Sequence, residues 1–230
     1  MIFEQFFDPE AHALSYLLAG GPGEDAVLID PVDRDIAKYR NVLAKLCSPL
    51  KLVIDTHLHA DHVTGAGELA RATGCLVAMS EKTEARHVTL RVVDGQRLTA
   101  GTLQMRVAHT PGHTKDSICI VMDDRVFTGD TLLIGGTGRT DLPGGDAHSQ
   151  FFAIRDRLMT LPGDTLVYPG HDYRGARVST IDHERETNPR FRYEDADAYA
   201  SCMASLDLGP PRAMHGAIPA NLNGGLAHAS

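Results

Sequence analysis

The chain has 230 residues, 43% of them apolar, and a formal net charge of -8 at pH 7. That much apolar sequence can bury a sizeable core, which excludes a disordered chain, and an acidic balance without a cluster of Lys and Arg excludes a general nucleic-acid binder. Met1 to Gln5 has neither the basic region nor the apolar run of a signal peptide, and no apolar stretch approaches the roughly 20 residues of a membrane helix, so a cytoplasmic protein with no membrane partner is expected.

In chain order, apolar runs of strand length lie at Tyr16–Ala19, Ala26–Ile29, Lys51–Ile54, Cys75–Met79, Leu103–Val107, Ser117–Met122, Arg125–Phe127 and Thr165–Tyr168. Most are bounded by Gly, Pro or Asp. Helical periodicity marks Ile36–Leu46, Gly67–Thr73 and Ser149–Leu161, the last with Phe152, Ile154, Leu158 and Leu161 spaced to share one face. Strand and helix therefore alternate, with hairpin-like pairs between Leu103 and Phe127, which predicts an α/β fold of sheets covered by helices. After His171 the chain turns polar, offers a helix at Glu194–Leu206 and ends in a Gly/Pro-rich tail. Residues 1–230 read as one domain, with 175–230 a helix and tail packed on it. Cys47, Cys75, Cys119 and Cys202 are widely spaced with no Cys-x-x-Cys pair, so all four are expected to be buried thiols.

The stretch Thr56-His57-Leu58-His59-Ala60-Asp61-His62 follows one strand directly, and three later strands run into similar Gly- or Pro-marked loops carrying His113, Asp130 and His171. A rigid sheet can aim side chains from several such loops at one point. Together they supply seven candidate ligands: His57, His59, Asp61, His62, His113, Asp130 and His171. Imidazole and carboxylate in combination suit zinc, iron or manganese. His12, His87, His109, His148, His183, His215 and His228 have no such setting and are assigned surface or structural roles.

The His-x-His-x-Asp-His array with the later His113, Asp130 and His171 resembles the metallo-β-lactamase superfamily over the span from Thr56 to His171. The resemblance implies an αββα sandwich, two mixed sheets flanked by helices, with the metal at one edge between the sheets. It leaves two chemistries open. In one, like glyoxalase II, two zinc ions occupy all seven ligands, Asp130 bridges them, and a metal-bound hydroxide attacks a glutathione thioester. In the other, His59, His113 and Asp130 bind a single Fe(II) per chain as a two-His-one-carboxylate set, while His57, Asp61, His62 and His171 orient the ligands and order water.

Sequence outside the array favours the second. Gly135-Gly136-Thr137-Gly138-Arg139-Thr140-Asp141, Gly170-His171-Asp172-Tyr173, Asn188-Pro189-Arg190 and Ile218-Pro219-Ala220-Asn221 resemble segments of persulfide dioxygenases. Glyoxalase II enzymes carry a longer helical carboxyl-terminal region than this tail provides. The resemblance implies oxidation of glutathione persulfide by O2 to sulfite and glutathione, and it makes a homodimer and a rhodanese-type sulfurtransferase the partners to look for. It also implies catalytic roles for Arg139, as a fork for an oxyanion or a glutathione carboxylate, for Tyr173, as a hydrogen-bond donor to sulfur or peptide, and for Asp61 and His171. Arg139 could instead form an ion pair with Asp141. Thr137 stands where many persulfide dioxygenases have a cysteine. A metal-free binding module would require lost ligand positions, and none of the seven is lost.

Overall fold

A computed structural model describes residues 1–206, 208–209 and 213–226; His228 and parts of the tail lie outside the described residues. Six strands form the first sheet in sequential order: β1 (Ile2–Asp8), β2 (Ala13–Ala19), β3 (Ala26–Ile29), β4 (Leu50–Ile54), β5 (Leu76–Ser80) and β6 (Leu90–Val92). β1, β2 and β3 pair antiparallel; β3 to β6 pair parallel. The second sheet runs β7 (Arg97–Ala100), β8 (Leu103–His109), β9 (Ile118–Val121), β10 (Arg125–Gly129), β11 (Leu166–Pro169) and β12 (Ser179–Thr180). All its neighbours are antiparallel except β10 and β11. Both sheets are therefore mixed.

Side-chain alternation with period two explains the layering. On β2, Leu14, Tyr16 and Leu18 point into the space between the sheets, where they meet Met105, Val107, Ile120 and Phe127 of the second sheet. Leu17 and Ala19 point the other way, onto the helices α1 (Ile36–Leu46) and α2 (Ala66–Thr73). Every residue of β2 is buried, as a central strand covered on both faces requires. The outer face of the second sheet packs Cys119, Val126 and Val167 against Ile154, Leu158 and Ile181. These come from the π-type turn that extends α3 (Ala147–Ala153) and from α4 (Ile181–Thr187). An αββα sandwich results.

Ile36–Leu46 and Ala26–Ile29 have the bounds expected from sequence, and the other expected strands and helices are found within a few residues of theirs. Strands β1, β6, β7 and β12 and helix α4 were not expected. β1 hides behind Glu4-Gln5, which interrupts its apolar run, although Phe3 packs inward and Phe6 outward. The helix expected at Glu194–Leu206 is α5 (Ala196–Ala204), started by the Asp195 side chain, which accepts from Ala198 N at 2.8 Å. It packs Tyr199 and Met203 on Phe151 of α3. The tail is not irregular: it holds an eight-residue helix, α6 (Met214–Asn221). Two cysteines also depart from expectation. Cys47 is exposed in a left-handed C-cap position at α1, and Cys202 is half-buried beside the Arg190 guanidinium. Among the described residues no helix is long and apolar enough to cross a membrane.

Candidate metal centre

All seven expected ligands lie beyond the carboxyl ends of four strands. His57, His59, Asp61 and His62 follow β4; His113 follows β8; Asp130 follows β10; His171 follows β11. Because β9 opposes both β8 and β10, the strands β8, β10 and β11 run in one direction and deliver their loops to the same edge. Backbone bonds join the two sheets there, from Ile118 N to Thr56 O at 2.9 Å and from Leu14 N to Gly170 O at 2.8 Å. Two glycines permit the close approach. Gly129 has φ +48°, and a Cβ on it would lie 2.4 Å from Thr56 Oγ1; one on Gly170 would lie 2.6 Å from Asp130 Oδ1.

Hydrogen bonding fixes which atoms remain free to bind a metal. Thr56 Oγ1 stands 2.9 Å from Asp30 Oδ2, and a carboxylate only accepts, so the hydroxyl donates there. It then accepts from His57 Nδ1 at 3.0 Å, leaving Nε2 of His57 as the bare nitrogen. That Nε2 is buried and has no hydrogen-bond partner among the described residues. His113 Nδ1 lies 2.7 Å from the Arg139 carbonyl, which can only accept, so its Nε2 is bare as well. One donor atom each from His57, His113 and Asp130 falls within 4.8 Å of the others. Burial, with His59 and His113 close by, holds the His57 pKa well below its ordinary value, so His57 is a neutral imidazole able to ligate. Burial acts to raise the Asp130 pKa, but His171 at 2.7 Å takes it below the usual carboxylate range and keeps it ionised.

The expected triad of His59, His113 and Asp130 is thus not the one these side chains form: His57 takes the place of His59. In the sequence His57 and His59 are equivalent candidates, two residues apart on one loop. The fold separates them, because Nε2 of His59 turns to Asp30 Oδ1 at 3.2 Å. His59 belongs instead to two other buried groups, one with Asp61 and His62 and one with Asp30 and Asp55. Its Nδ1 and the Nε2 of His62 are also unpartnered, while His62 Nδ1 donates to Asp61 at 3.0 Å. His171 bridges the groups, with Nδ1 2.7 Å from Asp130 and Nε2 2.8 Å from Asp61. Burial would lower its pKa, but the two carboxylates raise it well above the ordinary value, so both nitrogens donate.

Arg139 does not offer its fork to a substrate. Its Nε and one terminal nitrogen bond Asp141 at 2.6 and 2.7 Å, and the terminal nitrogens also donate to the carbonyls of Leu208 and Gly209 at 2.8 and 2.7 Å. The side chain is a structural ion pair, and its residue serves the centre through the carbonyl that orients His113. Tyr173 is 63% exposed, and its ring stacks on His171 with centroids 5.5 Å apart. Thr137 bonds the Tyr199 hydroxyl at 3.0 Å and so packs on α5. Of the other histidines, His109 bonds the Lys115 carbonyl and His148 pairs with Asp197, which are structural roles.

Three residues of the centre were missed from sequence: Asp30, Thr56 and Asn221. Asp30 ends β3 as Asp130 ends β10, and that repeated strand-to-aspartate pattern was the available signal. Asn221 closes α6 and clamps the histidine loop. It donates to the carbonyls of His59 and His62 at 2.9 and 2.8 Å and accepts from Thr64 N at 2.9 Å.

The sequence profile of the metallo-β-lactamase superfamily matches residues 9–171. Over 229 residues, 98% of this chain and 89% of the relative, the chain is 36% identical to persulfide dioxygenase ETHE1, mitochondrial, of Homo sapiens. The crystal structure of ETHE1 from Myxococcus xanthus superposes with a TM-score of 0.95 at 41% identity, covering 98% of this chain and 100% of that one. A structure of TTHA1623 in a di-iron-bound form is more distant, with a TM-score of 0.68 at 27% identity over 81% of this chain and 98% of that one. Likeness of that extent, on a fold whose strand ends gather seven histidine and aspartate side chains, places the chain in the metallo-β-lactamase superfamily and, within it, in the persulfide dioxygenase family.

Proposed function

We propose that the chain is an iron-dependent persulfide dioxygenase that converts glutathione persulfide, O2 and one water to glutathione and sulfite. The observation that carries this reading is the buried set of His57 Nε2, His113 Nε2 and Asp130, a two-His-one-carboxylate arrangement whose nitrogens are bare because their opposite ring atoms are engaged. Iron held there would keep coordination positions open for sulfur and O2 and supply the electron transfer that activates O2. His57, His113 and Asp130 hold their donor atoms in a nearly dry recess, being 2%, 5% and 9% exposed. His171 fixes Asp130 with a charged hydrogen bond, and Asp61 fixes His171 from its far side. Tyr173, exposed and stacked on His171, would touch the peptide part of a substrate. A cytoplasmic location, a homodimer and a rhodanese-type sulfurtransferase as sulfur donor belong to the same proposal.

A second reading, a dinuclear hydrolase of glutathione thioesters like glyoxalase II with two zinc ions, is favoured by the unpartnered His59 Nδ1 and His62 Nε2. Against it, both ring nitrogens of His171 are already engaged by the Asp130 and Asp61 carboxylates. O2 uptake with glutathione persulfide, measured beside hydrolysis of a glutathione thioester on the same preparation, separates the two. Uptake with sulfite formation and no thioester cleavage is expected; thioester cleavage without O2 uptake would overturn the proposal.

A further inference from the structure

A recess of about 210 Å³ lies in the helical layer over the second sheet, between α3, α5 and the Pro189–Arg192 turn, and none of its lining residues belongs to the metal centre. It is smaller than the roughly 300–1,000 Å³ of pockets that enclose a drug-sized ligand, so it suits a molecule of one or two rings. Phe151, Phe191, Tyr193 and Tyr199 line it. The Tyr199 ring lies 5.7 Å from that of Phe151 and 6.2 Å from that of Tyr193, and such faces and edges favour a planar guest. Three guanidinium groups share the recess with these rings. Arg185 is committed to Asp182 and to the carbonyls of Met159 and Leu161. Arg155 gives one terminal nitrogen to the Glu194 carbonyl at 2.8 Å and Arg190 one to the Cys202 sulfur at 2.9 Å, and neither forms an ion pair among the described residues. On a chain of net charge -8, the two leave this recess locally positive and their remaining N–H donors free for an anion.

We propose that this recess is a regulatory site for a small aromatic carboxylate, with its ring among the four aromatic side chains and its carboxylate on Arg155 and Arg190, and that Tyr199 couples the site to the metal centre. A carboxylate presents two oxygens, one for each guanidinium, in charge-assisted hydrogen bonds. The coupling runs through hydrogen bonds. The Tyr199 hydroxyl donates to Gln150 Oε1 at 2.6 Å and accepts from Thr137 Oγ1 at 3.0 Å. Gln150 in turn donates to the Gly138 carbonyl at 3.1 Å, and Gly138 N donates to the Asp130 carbonyl at 2.9 Å. The carbonyl of the next residue, Arg139, is the one that fixes His113 Nδ1. A ring held against Tyr199 therefore keeps the loop between two metal-binding side chains in the arrangement that aims them. A ligand and a metal that favour the same arrangement must each tighten the binding of the other, whatever the reaction at the metal.

Calorimetric titration of the metal-loaded protein with 2-naphthoate, 2-naphthol and acetate tests the site. One 2-naphthoate per chain should bind, at least about 10-fold more tightly than the neutral ring or the ringless anion. Arg155→Gln and Arg190→Gln should each weaken it by about 10-fold or more, as the loss of a charged hydrogen bond predicts. Arg155→Gln, at an exposed position, carries the test should Arg190→Gln fail to fold. Saturating 2-naphthoate should also slow the loss of bound metal to a chelator by about fivefold or more. Tyr199→Phe, which keeps the ring and loses the hydroxyl, should still bind 2-naphthoate and show no such slowing. Absence of binding, or unchanged affinity in the arginine variants because the carboxylate sits on the metal instead, would overturn the proposal. So would a rate of metal loss that 2-naphthoate leaves unchanged in the unsubstituted protein.

Discussion

Nδ1 of His57 lies 3.0 Å from the Thr56 hydroxyl, whose own proton goes to Asp30 at 2.9 Å, so two residues outside the histidine array decide which nitrogen of His57 faces a metal. Such partners fix ring orientation and raise ligand basicity. Thr56→Val keeps the shape and removes the relay. Metal affinity, measured by competition with a chelator, should fall about 10- to 100-fold while the fold is retained. An unchanged affinity would mean that the ring is held by packing alone.

Asn221 supplies three buried hydrogen bonds between α6 and the histidine loop. Asn221→Ala leaves the His59 and His62 carbonyls and the Thr64 N–H without this partner. Urea unfolding should register a loss of about 2–4 kcal/mol, and metal affinity should drop with it, because the loop that carries four of the seven candidate ligands loses its clamp. A loss below about 1 kcal/mol would show that water replaces the amide.

Much of this architecture is legible in the sequence because the central strands are buried on both faces. Ala26–Ile29 and Leu50–Ile54 read as apolar runs, and the ligands follow them directly. What escapes is set by contacts between distant segments. Nothing local distinguishes His57 from His59; the choice is made by Asp30, 29 residues before His59 along the chain. Asn221 reaches the site across 162 residues of sequence, and Arg139 spends its donors on Asp141 and on a loop about 70 residues away, which no spacing rule near Asp130 announces. The edge strand β7, with Arg97 and Thr99 exposed between Leu98 and Ala100, carries only half an apolar pattern.

The bonds of Arg139 give a stability phenotype rather than a binding one. Arg139→Ala should cost about 1–3 kcal/mol in urea unfolding, through the lost bonds to Asp141 and to the Leu208 and Gly209 carbonyls. KM for glutathione persulfide should stay within about threefold, since the His113 contact is made by the backbone. A large rise in KM at full stability would return the side chain to the substrate.

Metal-free protein should lose stability toward alkaline pH through His59. Burial acts to lower its pKa, but the hydrogen bond and charge of Asp30 raise it to about 9. A pKa raised in the folded state gives stabilisation that is complete below the unfolded value of about 6.5 and is lost as pH rises through about 9. The change in unfolding free energy should be at most about 3 kcal/mol over that window. His171, its pKa raised despite burial by Asp130 and Asp61, adds a further loss in the same direction, so Asp30→Asn should make the profile shallower without abolishing it; an equally steep profile in that variant would assign the dependence to groups other than His59.

Metal content per chain after anaerobic purification decides the central claim. With His57, His113 and Asp130 as the ligands, about one equivalent of iron and little zinc should be found, retained in large part by His59→Ala and lost by His57→Ala. Two metal equivalents per chain, or loss of the iron in His59→Ala with retention in His57→Ala, would contradict it.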